Sequence, residues 1–371
     1  MSLKIGHLYG VEVRLHYTWF LIFAFLTWSL AWGYLPAGYP GQSDVFYWGV
    51  GAASALVLFV SVLIHEVAHS VVAQRYKIPV NSITLYFLGG VSEIAEEAHT
   101  PEAELRMAAA GPLTSVVLGV VFYAVFVFGG GLLPLPVVAV LQYAGYINIV
   151  LAAFNLIPAF PMDGGRVLRG IVWGRNKDIL KSTRTVTNVS RLISFIFIGF
   201  GLLDTVFIGD FNGIWLLFIG LYVQSSAQAS MNETRVTQAL TGVSVGEIMT
   251  REVKTVEPDL TLQQVQDYAL IPFKHHGFPV VKDGVLLGII TDDDVRRVKP
   301  ELWDERRVGD IMRKTSELVS VKPVDAAVDA LIKLAKAGVG RLPVIEDGKL
   351  VGIVTRSDFA KAIQDRLRFR S

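Results

Sequence analysis

The chain has 371 residues, with 34 Lys/Arg against 33 Asp/Glu and no cysteine. A net charge of +1 gives no polyelectrolyte case for nucleic acid as a partner, and the absence of cysteine excludes disulfides, thiolate metal ligands and a cysteine nucleophile. The charge is unevenly spread: residues 1–230 hold 12 Lys/Arg and 12 Asp/Glu while 231–371 hold 22 and 21, so the first part lacks an ordinary wet surface and a single soluble enzyme is excluded.

Crossing a bilayer takes roughly 20 mostly apolar helical residues. Six stretches fit, at about 16–35, 49–75, 106–128, 134–156, 190–208 and 212–230. The first has no short apolar core followed by a small-residue cleavage site, so it reads as a retained span rather than a signal peptide. Between the second and third, VNSITLYFLGGVSEIAEE is apolar but β-branched and glycine-broken, which predicts extended chain over ITLYFLGGV (83–91) rather than helix. With a cytoplasmic N-terminus, the outer loops 36–48, 129–133 and 209–211 contain no Lys or Arg. The inner segments contain eleven: Lys4, Arg14, Arg75, Lys77, Arg106, Arg166, Arg169, Arg175, Lys177, Lys181 and Arg184. That bias predicts a multi-pass protein of the cell membrane with both termini in the cytoplasm.

The second span contains LIHEVAHS. His65 and His69 are four apart and share one helical face, with Glu66 beside the first. Two imidazoles at this spacing suit zinc, which needs a third ligand and leaves a fourth position for water; the adjacent carboxylate can take that water's proton. Such groups are costly in an apolar span and mark a functional site. The third ligand has few candidates. Asp44, Asp204 and Asp210 fall in or beside outer loops, and Glu93, Glu96, Glu97, Glu102 and Glu104 lie in the polar inner segment. Asp163 differs: it follows the fourth span in FNLIPAFPMDGGRVLRG, where Pro158 and Pro161 break the helix and Gly164 and Gly165 permit a sharp turn. Irregular backbone at that depth is tolerated where it is buried or lines a wet cavity. His65 lies roughly 24 Å below the outer end of its span, so both groups belong to the cytoplasmic third of the membrane. A His₂Asp set suits zinc without excluding other divalent ions.

After a linker over 231–243, one pattern occurs twice. VGEIM at 245–249 returns as VGDIM at 308–312, FPVVKDG at 278–284 as LPVIEDG at 342–348, and GIITDDD at 288–294 as GIVTRSD at 352–358. Each unit runs strand, helix, two strands joined at Asp-Gly, then a second helix, and neither buries its apolar face alone. Pro272 is expected to end the first unit's helix early, and His275 and His276 read as exposed loop residues.

H-E-V-A-H, A-A-G-P at 109–112 and N-L-I-P-A-F-P-M-D-G-G together make residues 1–230 similar to the site-2 protease family of intramembrane zinc metalloproteases. The repeats over 244–300 and 307–365 resemble a tandem pair of cystathionine-β-synthase-type (CBS) domains. The fold expected is therefore an α-helical polytopic membrane protein of about six transmembrane helices with a C-terminal α/β CBS pair over 244–371. The first resemblance implies one Zn²⁺ per chain on His65, His69 and Asp163, Glu66 as general base and acid, and Asn155 holding substrate or the tetrahedral intermediate. It also implies a single-pass membrane protein as substrate, such as an anti-sigma-factor-like regulator, cut within or near its transmembrane segment. The second implies ATP, ADP or AMP in clefts bordered by Thr291, Asp294, Thr355 and Asp358, nucleotide control of the protease, and a homodimer through the CBS pairs. The same Thr and Asp residues also suit capping of the helices that follow them. A CBS-regulated ion transporter would share the layout, but transport does not need H-E-x-x-H with a distant Asp-Gly. An inactive scaffold would not need Glu66 and all three ligand positions.

Overall fold

The computed structural model describes residues 2–86, 89–94, 98–208, 212–270 and 277–368. The chain forms two compact units, Met1–Thr234 and Arg235–Ser371.

In the first unit, α1 (Thr18–Gly38), α2 (Asp44–Arg75), α3 (Pro101–Gly129) and α4 (Leu135–Asn155) are long and apolar enough to cross a membrane, as is the helix Ile179–Phe207. Their starts follow local chemistry. Ser43 accepts the Phe46 N–H at 3.3 Å to open α2, and Thr100 accepts the Ala103 N–H at 3.2 Å with Pro101 at the first helical position of α3. Outward-facing Phe20, Leu21, Trp28, Val117, Val121 and Phe200 are exposed, as lipid-facing side chains should be. Inward, Leu30, Leu35, Val50, Ala55, Ala139 and Tyr143 form a core between α1, α2 and α4.

Three stretches are more helical than the hydropathy pattern predicts. The break after α4 is followed by a short amphipathic helix, α5 (Asp163–Asn176). The fifth span, expected from 190, belongs to α6 (Ile179–Leu203), which starts eleven residues earlier. Its opening turns are rich in hydroxyls, yet Ser182, Thr183 and Ser190 are buried because each returns its proton to a carbonyl four residues back, at 2.6, 2.9 and 2.8 Å. The sixth predicted span is the apolar part of α7 (Asn212–Leu240), which continues through residues 231–240 of the expected linker. No proline or glycine interrupts that stretch before Gly242, whose φ of +75° ends it.

A four-stranded sheet completes this unit, in the order β1 (Ser2–Leu8), β2 (Val11–His16), β3 (Val80–Tyr86), β4 (Gly89–Ile94). β1 with β2 and β3 with β4 are antiparallel hairpins, and β2 lies parallel to β3. The extended chain expected over 83–91 thus belongs to the β3–β4 hairpin, with Leu85 opposite Gly90. Phe87 and Leu88 lie outside the described residues, as do Glu96, Glu97 and Asp210.

In the second unit, β5 (Gly277–Lys282) pairs with β6 (Val285–Thr291), and β8 (Arg341–Glu346) with β9 (Lys349–Thr355), within a sheet ordered β5-β6-β9-β8; β7 (Arg313–Lys314) joins β6. Asp283-Gly284 and Asp347-Gly348 all have positive φ, the turn that Asp-Gly favours. The two repeats exchange their leading segments. Val245 and Met249 sit in a core with Leu334, Leu342 and Phe359, whereas Val308 and Met312 pack with Leu262, Phe278 and Ile290. Neither core is complete within one repeat, which makes the pair the folding unit. Pro272, His275 and His276 lie outside the described residues.

Candidate active site

Helix α2 brings His65 and His69 onto one buried face, 4% and 5% exposed. The turn after α4 delivers Asp163 to the same point. Gly164 and Gly165 make that turn feasible, since a Cβ on Gly164 would stand 2.2 Å from the Leu156 carbonyl oxygen and one on Gly165 2.6 Å from the Ala159 carbonyl carbon. The result is a triangle: His65 Nε2, His69 Nε2 and Asp163 Oδ2 are each 3.1 Å from the other two.

The remaining ring nitrogens are held by α3. His69 Nδ1 lies 2.7 Å from the Met107 carbonyl oxygen and His65 Nδ1 2.9 Å from Ser115 Oγ. A carbonyl only accepts, so His69 carries its proton on Nδ1 and turns the Nε2 lone pair toward the carboxylate and the other imidazole. Two imidazole nitrogens and a carboxylate oxygen converging on one point fit a cation. Zinc bonds of about 2.0–2.1 Å at tetrahedral angles place ligand atoms roughly 3.3 Å apart, close to the triangle seen. These three residues form the candidate metal cluster among the described residues. Gly111 keeps the space open, because a Cβ there would meet His69 Nε2 at 2.2 Å and His65 Nε2 at 2.5 Å.

Glu66 is half-buried beside the triangle on α2. Strand β4 passes directly over it: a Cβ on Gly90 would stand 2.5 Å from Glu66 Cγ. β4 ends the order of the described sheet, so an edge strand runs beside the carboxylate. Asn155 sits at the C-terminal end of α4 and donates one amide N–H to the Leu151 carbonyl at 3.0 Å. Glu102 and Glu104, which the hydropathy pattern left in an inner loop as ligand candidates, belong to the first turn of α3, where Arg106 pairs with Glu102 and Arg169 with Glu104.

Ser115, the Met107 carbonyl, Gly111 and Gly90 complete the site, yet none was identifiable as such in the sequence. Gly111 left a trace in A-A-G-P, and Gly90 in the glycine-broken stretch ITLYFLGGV. Ser115 and the Met107 carbonyl are partners any helix can offer.

In the second unit both Thr–Asp pairs form capping boxes. Asp294 Oδ2 accepts from the Thr291 backbone N–H at 3.1 Å and from its hydroxyl, and Asp358 Oδ2 accepts from Thr355 likewise at 2.8 and 2.7 Å. Their second oxygens differ. Asp294 is 4% exposed and its Oδ1 faces Arg313 Nε at 3.4 Å and Arg297 at 3.9 Å. Asp358 is half-buried, and its Oδ1 meets only the Thr250 hydroxyl, at 3.4 Å, among the contacts resolved for it.

Residues 53–200 match the family model described as Peptidase family M50, and 245–301 and 308–365 match the CBS domain model. The chain is 33% identical to Rip3 of Mycobacterium tuberculosis over 365 residues, covering 98% of this chain and 93% of that protein. It is 31% identical to zinc metalloprotease MJ0392 of Methanocaldococcus jannaschii, covering 98% and 96%. The solved structure of a site-2 protease from Methanocaldococcus jannaschii is 31% identical, with 62% of this chain and 94% of that one aligned at a TM-score of 0.42.

Proposed function

The chain belongs to peptidase family M50 and is a multi-pass membrane zinc metalloprotease carrying a CBS pair, and from that premise we propose that it cuts membrane-bound regulators within or near a transmembrane segment. The observation that carries this reading is the triangle of His65, His69 and Asp163, whose lone pairs converge at 3.1 Å with Glu66 alongside.

In this reading His65, His69 and Asp163 hold one Zn²⁺ per chain. When bound, zinc lowers the pKa of water toward about 7 and polarises a carbonyl. Glu66 accepts the proton of the attacking water and returns it to the leaving amine. Asn155 has a second amide N–H to offer to a carbonyl oxygen as negative charge builds there. A helical substrate hides its carbonyls in its own hydrogen bonds, so it must unwind locally; β4 then offers an edge on which the extended segment pairs. The protease part ends near 230 and the CBS pair begins at 244, with the end of α7 between them. The lysine and arginine bias supports a cytoplasmic N-terminus, CBS pair and active-site end of the bundle.

The test uses purified full-length protein in detergent with a single-span model substrate. Cleavage is expected to stop on chelation and return with added zinc. Cleavage indifferent to chelation would refute the reading.

The CBS pair is proposed to bind ATP, ADP or AMP, to bias the protease through α7 and to pair two chains. The difference between the clefts supports the second as the nucleotide site: Asp358 keeps an oxygen for ribose hydroxyls, while Asp294 is engaged by arginine. Asp358→Ala is expected to weaken nucleotide binding roughly tenfold or more, as loss of a charged hydrogen bond does, and Asp294→Ala less than about twofold. Titration calorimetry checks this; the opposite ranking would assign nucleotide to the first cleft.

A further inference from the structure

The buried ion pair of Glu104 and Arg169 is not part of the metal triangle, yet it joins α5, which carries Asp163, to α3, which holds the outer nitrogens of both histidines. Glu104, fully buried in the first turn of α3, accepts from Arg169 Nε at 2.6 Å and from Arg169 Nη2. Arg169, on α5, is 6% exposed and stacks its guanidinium 5.6 Å from the Phe160 ring, in the turn that leads into Asp163. The helices touch closely here, since a Cβ on Gly170 would stand 3.1 Å from the Leu105 nitrogen and 3.2 Å from the Pro101 carbonyl oxygen.

The spacing along the two helices matches. From Glu104 to Gly111, under the histidines, α3 rises roughly 10.5 Å; from Asp163 to Arg169, α5 rises roughly 9 Å. The helices run antiparallel, with Gly111 of α3 and Asp163 of α5 both at the histidines at one end and the ion pair joining them at the other. α3 already orients both histidines, through Met107 and Ser115. Asp163 is the ligand carried by a separate helix that follows an irregular turn, so its aim depends on what holds α5 to α3.

We propose that Glu104 and Arg169 are positioning residues that set Asp163 against the two histidines, so that α3 orients all three ligands; the inference rests on the metal-site reading above. Two guanidinium nitrogens on one buried carboxylate oxygen, Glu104 Oε1, fix direction as well as distance, which a purely apolar contact does not. Partners of this kind, one step behind the ligands, typically govern metal affinity.

The test is zinc affinity of the full-length protein in detergent, by competition with a chromophoric chelator, in the native background and in Asp163→Ala. Glu104→Gln is expected to weaken zinc binding on the order of tenfold or more in the native background. In Asp163→Ala, where zinc keeps only the two histidines, the same change is expected to shift affinity less than about twofold, because the positioned ligand is already gone. Arg169→Lys keeps the buried charge balanced but loses the fork; it serves where Glu104→Gln does not fold, and is expected to show the same dependence on Asp163 with a smaller loss. Native affinity in both variants, or equal losses in both backgrounds, would overturn the proposal. Wild type that takes up no zinc would instead overturn the metal reading beneath it.

Discussion

Replacing Gly111 by alanine is expected to empty the metal site while leaving the helix intact. The added methyl would lie 2.2 Å from His69 Nε2, 2.5 Å from His65 Nε2 and 2.7 Å from His65 Cε1, closer than any carbon can sit. The rings have no easy retreat. His69 is tied to the Met107 carbonyl and His65 to Ser115 Oγ, both on the same helix as residue 111, so any shift that relieves the clash breaks one of those bonds. Loss of zinc affinity on the order of 100-fold follows, the upper end for disturbing the groups that orient metal ligands, and cleavage falls with it. Alanine is the better helix former by about 1 kcal/mol, so weakening of α3 cannot account for the loss. Metal analysis alongside circular dichroism separates the two. Native helix content with little zinc is the expected result, and native zinc content would show that the methyl is accommodated.

Glu66→Gln is expected to do the reverse: zinc stays and catalysis goes. The amide has nearly the carboxylate's shape, so it fits beneath Gly90, where a Cβ would stand 2.5 Å from Glu66 Cγ. Glu66 contributes none of the three converging atoms, so metal affinity should change little. What disappears is the group that accepts a proton. Losing a general base costs typically 10²- to 10⁴-fold in rate, and in the proposed mechanism the same residue also serves as acid, so the fall should lie toward the larger figure. The comparison of kcat with zinc content in one preparation checks it. Equal rates in wild type and variant would remove Glu66 from the mechanism.

Much of the site was legible because it breaks the local rule. His65, Glu66 and His69 stand out in an apolar span, where each polar group needs a reason, and Asp163 stands out because prolines and glycines interrupt a helix beside it. The supporting groups were not legible for the opposite reason. A serine on α3 or a main-chain carbonyl at Met107 is ordinary in a helix, and only the crossing of α2 with α3 gives them a task. Glu104 was read as a loop carboxylate because charge near an apolar run resembles a boundary; its partner Arg169 is 65 residues away.

The fold shows a similar division. The Asp-Gly hairpins and doubled pattern of the C-terminal part follow from local chemistry and appear as expected. The N-terminal hairpin did not announce itself, although its turn at Tyr9-Gly10 has positive φ at both residues. Its partner is also remote: Val13 lies against Ile83 in the parallel β2–β3 pairing, a register set by tertiary packing. Hydropathy likewise misplaced the start of α6, since it counts serine and threonine as polar although their hydroxyls are satisfied inside the helix.

The central claim is that one metal ion sits between His65, His69 and Asp163, and metal analysis of freshly purified, unchelated protein tests it most directly. About one zinc per chain is expected in wild type, falling to near zero in His65→Ala and in His69→Ala, because zinc held by only two donors binds too weakly to survive purification, although its affinity is still measurable by titration. Wild type without zinc, or zinc content unchanged in both variants, would contradict it.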